Sequence, residues 1–344
     1  MAPERRVRAQ DEEALDFVQV PLPFEDLPVQ VAIAKQGQSR QVDVDGRQLE
    51  VTNLDKVLWP KAGFTKGEMI DYYARVADVI LPHLKGRPLT LKRYPNGVDE
   101  GHFYEKRCPK HRPDWVNTAP IWSGRNEGEI DYCVCDDRAT LIWVAQLASL
   151  ELHPSLSHAK EIERPTVLAF DLDPGPPADI IQCCTVSLRL RELFGDLGLE
   201  SFPKTSGSKG LQVYVPLNVK VSYDDTKPFA HAVAQVLERS DPDLIVSRMA
   251  KNLRKGKVLV DWSQNDQHKT TVSVYSLRAK EHPTVSTPVE WKEVERALKR
   301  EDPDVLRFEA GDVLKRVDKQ GDLFEPILKT RQKLPDLKAA TEYA

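Results

Sequence analysis

Residues 167–175 read Val-Leu-Ala-Phe-Asp-Leu-Asp-Pro-Gly. An apolar run delivers two carboxylates at i and i+2, and Pro174 and Gly175 then stop it. In an extended strand alternate side chains share a face, so Asp171 and Asp173 point one way while Phe170 and Leu172 enter a core. Neighbouring carboxylates repel unless a cation lies between them. Hard oxygen donors of this kind suit Mg²⁺ or Mn²⁺. An Asp-x-Asp pair can equally cap a turn, so the stretch alone leaves both readings open.

Downstream of this strand the patterns predict a helix over 179–197, a strand over 210–217 and a helix over 226–239. Strands over 257–262 and 271–277 and a helix over 289–299 follow. Upstream, Val42 to Val51 reads as a hairpin about Asp45-Gly46, the type I′ turn pair. Thr65-Lys-Gly-Glu68 forms a capping box, followed at helical spacing by Ile70, Tyr73, Ala74, Ala77 and Ile80. Strands are predicted over 88–94, 101–106 and 129–135, and a helix over 138–149. No βα unit repeats, which favours an α+β fold over a doubly wound sheet. Residues 1–40, acidic and without clear period, read as an N-terminal extension. Residues 41–300 read as one catalytic domain and 301–344 as a charged, partly helical tail.

The 344 residues carry a net charge of −4, which at first argues against a nucleic-acid partner. The distribution says more than the sum. Arg248 to Lys280 holds eight basic residues against two acidic ones, whereas residues 1–50 hold ten acids against six bases. A basic zone in an acidic chain is compatible with phosphate binding, and equally with a solvated face. No apolar run approaches the roughly 20 residues of a membrane span, and the N-terminus has no apolar signal segment. Five cysteines fit a reducing compartment better than a disulfide scaffold, so a cytoplasmic location is expected. Cys108, His111, Cys133 and Cys135 invite a zinc reading. Burial is the default for Cys133 and Cys135 in an alternating strand, and Cys183-Cys184 reads as helix packing.

Lys204-Thr-Ser-Gly-Ser-Lys-Gly-Leu211 lies between strand-like runs. Its backbone N–H groups, Ser206 and Gly207 could cradle phosphate oxygens, with Lys209 adding a point charge. It is no Walker A loop, and such a stretch can be simply a turn. Lys257-Val-Leu-Val-Asp-Trp262 brings a further carboxylate, Asp261, to a strand end. Three strand-end carboxylates are what a two-metal nucleotidyl-transfer site requires, one ion activating a 3′-oxygen and the other neutralising a triphosphate. His153, Arg254 and Arg278 are further phosphate-binding candidates, though each alone could be an ordinary hydrogen-bonded or ion-paired residue.

Taken together, these segments resemble the polymerase domain of bacterial end-joining ligase D, in the archaeo-eukaryotic primase superfamily. The resemblance covers roughly residues 41–300. It rests on Val-Thr-Asn-Leu-Asp-Lys-Val-Leu-Trp-Pro (51–60), Arg-Pro-Leu-Thr-Leu-Lys-Arg-Tyr-Pro-Asn-Gly (87–97), Phe-Asp-Leu-Asp-Pro-Gly (170–175), Thr-Ser-Gly-Ser-Lys-Gly-Leu (205–211) and Tyr-Ser-Leu-Arg-Ala (275–279). It implies a primase-polymerase fold, with an RRM-like catalytic sheet flanked by helices and an N-terminal α/β module. It also implies a template-directed polymerase that prefers ribonucleotides and fills short gaps or end-joining intermediates, acting as a monomer with two Mn²⁺ or Mg²⁺ ions and a nucleoside triphosphate. Asp171, Asp173 and Asp261 match the metal triad. Ser206, Gly207 and Lys209 match the nucleotide loop, and His153 and Arg278 match phosphate contacts. Asn53, Lys56 and Lys66 match a pocket for the downstream 5′-phosphate. Phe103 and Tyr104 match aromatics that stack at the template turn, and Arg254 matches a contact to template and primer. From their position alone, Lys56 and Lys66 could be solvated lysines. The alternation of a strand would put one of Phe103 and Tyr104 in the core.

Two departures stand out. Gln212 replaces a phosphate-binding His, and Gln264 replaces an Arg in the nucleotide site. Neutral amides hydrogen-bond about half as strongly as charged groups. These variants resemble the stand-alone primase-polymerases associated with ligase C, which are linked to excision and gap repair. No Lys-x-Asp-Gly adenylation motif appears, since Asp43-Val-Asp-Gly46 lacks the lysine, so the expected partners are a separate DNA ligase, a Ku-type end-binding protein and gapped or broken DNA at the nucleoid. The alternative is a non-catalytic module that binds gaps or bridges ends for a ligase.

Overall fold

Asp45 and Gly46 both adopt left-handed backbone, with φ of 52° and 80°, and close the hairpin of β1 (Ser39–Val44) and β2 (Arg47–Thr52). The computed structural model describes residues 39–124 and 127–336. The expected extension over 1–40 therefore lies almost wholly outside the described residues, as does the end of the tail. After β3 (Val57–Trp59) and β4 (Phe64–Thr65), Thr65 and Glu68 cap each other as the sequence predicts. The helical stretch that follows is broken at Val76 into α1 (Lys66–Arg75) and α2 (Ala77–Leu84).

An N-terminal sheet is built next from β5 (Pro88–Arg93), β6 (Phe103–Glu105), β7 (Thr118–Ser123) and β8 (Gly128–Val134), followed by α3 (Arg138–Gln146) and β9 (Ser149–Pro154). The strands lie in the order β6-β5-β8-β7, with β9 also paired to β5. The loop after β6 is tied to β8 by the Cys108 N–H bond to Asp131 O (2.7 Å). This brings the Cys108 and Cys133 Cα atoms to 4.8 Å, and the two are joined in a disulfide, a separation within the usual range. The four-ligand zinc reading does not survive, because only Cys135 of these three cysteines is left free and it is buried. Against the expectation that the cysteines fit a reducing compartment better than a disulfide scaffold, one pair is bonded and three are free.

The second half holds β10 (Val167–Pro174), α4 (Ile180–Asp196), β11 (Phe202–Thr205), β12 (Leu211–Pro216), α5 (Tyr223–Ser240), β13 (Ile245–Val246) and β14 (Val258–Asp261). Then come α6 (Trp291–Arg300), α7 (Ala310–Gln320) and α8 (Pro326–Lys329). The sheet order is β11-β12-β10-β14-β13, antiparallel except for the β13–β14 pair. Its two faces differ. Leu168, Phe170 and Leu172 of β10, with Leu211, Val213, Val258 and Val260, are buried in a core shared with α4, α5 and α6. Val167, Ala169 and Tyr214 face the opposite core, which includes Leu89, Leu91 and Leu152 of the N-terminal sheet. Val313, Phe324 and Ile327, from the segment after residue 300, are buried in that core too. Among the described residues no helix is long and apolar enough to cross a membrane.

The predicted strand over 271–277 is not formed. Tyr275 takes φ of 63°, which no strand accommodates, and its hydroxyl bonds to Asp322 (2.8 Å). Arg278 thus sits on an irregular segment, held by its N–H to Thr284 O (2.8 Å).

One buried side chain completes the catalytic sheet. β14 stops opposite Asp171, leaving the Ala169 backbone without a ladder partner on that side. Asn265, fully buried, supplies both missing groups. Its Oδ1 accepts from Ala169 N (2.9 Å) and its Nδ2 donates to Ala169 O (2.8 Å). Asn265→Ala should therefore cost about 2–4 kcal/mol, the penalty for stranding two buried backbone groups. Denaturant unfolding measures this, and a loss below about 1 kcal/mol would contradict the account.

Candidate active site

The register of the catalytic sheet sets four polar side chains in one row. Lys204 of β11 pairs with Gln212 of β12, Gln212 with Asp171 of β10, and Asp171 with Asp261 of β14. Asp173 follows on the same face, two residues along β10. The row continues the face that carries Val167, Ala169 and Tyr214, so the apolar part of that face packs on the N-terminal sheet and the polar part opens into a cleft. The cleft is a cavity of about 310 Å³ whose walls include Asp171, Asp173, Ser206, Lys209, His153, Gln212, Gln264, Arg278 and Tyr104.

Asp171 is half-buried, with Oδ1 closed off from solvent and lacking a hydrogen-bond partner. Burial first, and the Asp173 charge second, push its pKa up. Asp173 stands at the cavity mouth, and its pKa is also raised, by desolvation and by Asp261. Asp261 is differently placed. Its Oδ1 accepts from Ser263 N (2.9 Å) and Ser263 Oγ (2.5 Å), and its Oδ2 accepts from Gln264 Nε2 (2.8 Å). With those oxygens engaged, no group of three or more His, Cys, Asp or Glu side chains among the described residues is gathered tightly enough to hold a metal ion. The donor set still fits a hard divalent cation: all three side chains are carboxylates, they share one face, and one buried oxygen has no partner. Release of Asp261 from Ser263 and Gln264 would complete the set. Gln264 thus reaches the cavity wall but spends its amide on a carboxylate.

The loop between β11 and β12 folds around Ser206. Its N–H bonds to Gly210 O (2.9 Å), and its hydroxyl accepts from the N–H groups of Ser208 and Gly210, each at 3.2 Å. Gly207 has φ of +66°, and a Cβ there would stand 2.6 Å from the Val285 backbone, so no other residue fits without displacing that segment. Lys209 is exposed and its charge acts on Asp173. Arg278 clamps the loop by donating to Ser206 O.

Sequence reading missed two charged residues here. Glu151, on β9 and 1% exposed, pairs with His153 Nε2 (3.0 Å), Arg278 Nε (3.4 Å) and Lys92 Nζ (3.4 Å), and accepts from Ala279 N (3.1 Å). Burial works against its charge, but the His153 bond and the cations outweigh it and hold its pKa well below the usual carboxylate range. Burial also lowers the His153 pKa, with Glu151 pulling the other way. The i, i+2 spacing of Glu151 and His153 was visible; the strand that makes it meaningful was not. Lys204 is the second. It is 1% exposed and donates to Ser286 Oγ (2.6 Å) and Val272 O (3.2 Å). Burial depresses its pKa, while Asp171 raises it.

A second polar site lies away from the cavity. Asn53 takes φ of 55° and its carbonyl accepts from Lys56 N (3.0 Å), while Lys66 N bonds to Lys56 O (2.8 Å). These bonds bring Asn53, Lys56 and Lys66 together. Lys56 is exposed and donates to Pro95 O (2.6 Å) and Asn96 Oδ1 (3.1 Å). Lys66 is buried, not solvated, and donates to Thr52 O (2.9 Å). Burial, then Lys56 and Arg93, lower its pKa to about 8.

Neither aromatic of β6 enters the core: Phe103 is 44% and Tyr104 58% exposed. Alternation sends them to opposite sides. Phe103 lies under the Arg93 guanidinium (5.2 Å), whereas Tyr104 lies under Lys92 (5.5 Å) and edge-on to His153 (6.0 Å). Arg254 is near enough to Asp173 for its charge to act on that carboxylate, and its Nη2 donates to Met249 O (2.5 Å). A Cβ on Gly175 would fall 1.8 Å from Arg254 O, so the glycine that ends β10 admits the Arg254 loop.

Comparison with known proteins bears on this arrangement. Residues 65–324 match the family described as LigD, primase-polymerase domain. The multifunctional non-homologous end joining protein LigD of Mycolicibacterium smegmatis is 43% identical over 282 residues, 81% of this chain and 36% of that protein. The bifunctional LigD of Bacillus subtilis is 33% identical over 84% of this chain and 45% of its own length. The chain thus spans less than half the length of these relatives. The solved polymerase domain of Mycobacterium tuberculosis ligase D, in complex with DNA, superposes with a TM-score of 0.76 at 41% identity, covering 83% of this chain and 99% of that one. A matched family over most of the described chain, and a superposition that takes in nearly all of a solved polymerase domain, agree with the cleft: the chain belongs to the LigD primase-polymerase domain family, nucleotidyltransferases of the archaeo-eukaryotic primase superfamily.

Proposed function

We propose that this protein is a template-directed DNA repair polymerase that adds nucleotides, preferentially ribonucleotides, to a primer 3′-hydroxyl at short gaps or DNA ends bearing a 5′-phosphate. The observation that carries this reading is the cross-strand register setting Asp171 opposite Asp261, with Asp171 in the cavity that Ser206, Ser208 and Lys209 of the loop also line. A pure binding module has no use for carboxylates opposed on neighbouring strands, since like charges placed so destabilise a sheet. Asp171, Asp173 and Asp261 would hold two Mg²⁺ or Mn²⁺ ions, which supply Lewis acidity at the attacking oxygen and the triphosphate. Lys209, Arg278 and His153 orient the triphosphate beside Ser206 and Gly207 of the loop. Gln212 and Gln264 contribute neutral contacts, and Arg254 meets primer and template. Phe103 and Tyr104 stack on bases where the template turns. Asn53, Lys56 and Lys66 bind the downstream 5′-phosphate.

The relatives are named for non-homologous end joining. For this chain we propose the same setting or excision-type gap repair, in the cytoplasm at the nucleoid, as a monomer working with a separate DNA ligase and a Ku-type end-binding protein.

Primer extension on a gapped duplex with Mg²⁺ or Mn²⁺ tests the catalytic reading. Asp171→Ala and Asp261→Ala should each lower the rate at least about a hundredfold, beyond the range seen for groups that only support metal ligands. Extension undiminished in both variants, or none by the wild type, would leave a gap-binding module instead.

Glu151 has a separate signature. Glu151→Gln keeps the shape but removes the charge that His153, Arg278 and Lys92 share. The KM for the nucleoside triphosphate should rise about tenfold, the scale of one hydrogen bond to a charged group, with kcat changed far less. An unchanged KM removes Glu151 from the binding machinery.

The 5′-phosphate pocket predicts a pH dependence. Lys66 is charged below about pH 8 and neutral above it; a bound phosphate dianion favours the charged form. Discrimination between gaps ending in 5′-phosphate and 5′-hydroxyl should therefore fall as pH rises from 7 to 9. It should stay level in Lys66→Arg and be lost in Lys56→Ala with Lys66→Ala. Fluorescence anisotropy with the paired substrates reads this, and a flat wild-type profile together with intact discrimination by the double variant would exclude the pocket.

A further inference from the structure

Outside the catalytic cleft the protein carries a groove of about 610 Å³, whose lining includes Trp122, Tyr132, Lys106, Gln267, His268 and Thr270. Trp122 is 62% exposed, more than any other large hydrophobic side chain among the described residues. It lies on β7, at the end of the N-terminal sheet's strand order. An indole left in water at a sheet edge forgoes the large burial that makes tryptophan valuable and offers a patch that proteins ordinarily blunt. Glu129 stands opposite Trp122 in the β7–β8 register, but the groove lining contains no carboxylate, and its ionisable nitrogen groups are Lys106 and His268.

The groove adjoins the catalytic cavity. Thr270 lines both, and Thr270 is bridged to Ser155, another wall of the groove. Tyr104, exposed on β6, lines the cavity, and Lys106, two residues further along the chain, lines the groove. An exposed ring therefore stands in each of two adjoining spaces, with Lys106 and His268 in the second. Exposed rings with cations beside them form a platform for single-stranded nucleic acid: bases stack on the rings whatever their sequence, and the cations follow the phosphates.

We infer that the Trp122 groove binds the unpaired strand of the substrate as it runs beyond the catalytic cavity, with a base stacked on Trp122 and its phosphates near Lys106 and His268. This rests on the polymerase reading above, and the test separates the two.

Anisotropy titrations would use the full chain with two labelled duplexes, one blunt and one carrying a single-stranded extension of about ten nucleotides. Trp122→Ala should weaken binding of the extended duplex about fivefold or more, the lower end for loss of one stacked base, and leave the blunt duplex unchanged. Trp122→Phe should retain most of the affinity. Lys106→Ala with His268→Ala should reduce the salt dependence of the extended duplex. Equal affinity of wild type and Trp122→Ala for the extended duplex overturns the inference, as does an equal loss on both duplexes. Single-nucleotide filling of a short gap should proceed at the wild-type rate in Trp122→Ala. Failure of the wild type to fill that gap counts against the polymerase reading, whatever the groove binds.

Discussion

Two carboxylates held opposite each other on neighbouring strands govern much of this molecule. Asp171 and Asp261 are register partners of β10 and β14, an arrangement that opposes sheet pairing. The sheet forms because its other face is deeply apolar. Phe170 and Leu172 flank Asp171 in sequence and are fully buried among side chains of α4 and α5, each worth about 1.5–3 kcal/mol on burial. The Asn265 amide stitches the sheet just where β14 ends. It also donates to Trp262 O (2.9 Å), so the turn that carries Ser263 and Gln264 is fixed by the same side chain. Packing on one face thus holds charges on the other where they would not gather by themselves.

The rest of the cleft balances that charge without placing a cation directly against Asp171. Lys204 shares the row but gives its protons to Ser286 and Val272. Arg278 and His153 turn to Glu151, and Ser263 and Gln264 occupy Asp261. Each group has a nearby protein partner, yet Asp171 Oδ1 has none. These nitrogen groups stand one step back from the carboxylates and leave the front of the row open. A direct salt bridge to Asp171 would have relieved the repulsion between these carboxylates, and the cleft is built without one.

Local features of this fold were legible and relational ones were not. The Asp45-Gly46 turn, the Thr65–Glu68 cap and the alternation along β10 depend on residues within a few positions of each other, and each is formed. The short strands β7, β9 and β11 were missed. β9 alternates polar and apolar residues from Ser149 to His153, but it is buried on both faces and so lacks the solvent face that alternation ordinarily marks, and β7 is an edge with both faces partly exposed. Helix 138–149 was drawn too long because Ala148, at φ of 57°, turns the chain inside an apolar run. The strand expected over 271–277 failed at Tyr275, whose N–H donates to Ser286 O and whose carbonyl accepts from the Tyr72 hydroxyl, while its own hydroxyl reaches a distant Asp322. The Cys108–Cys133 pairing likewise depends on a loop docking on another strand. At the site, the loop and the Asp-x-Asp pair could be read directly. The roles of Lys204 and Glu151 could not, because they exist only through cross-strand neighbours.

The shortest strand of the N-terminal sheet links the two polar sites. β6 has three residues and pairs with β5 so that Arg93 meets Phe103 and Lys92 meets Tyr104. Alternation then sorts the pairs. Lys92 and Tyr104 face Glu151, His153 and the catalytic cavity. Arg93 and Phe103 lie on the other side, where the Arg93 charge is felt at Lys66. A two-residue repeat therefore makes one ribbon serve two sites, each with a cation stacked on an exposed ring.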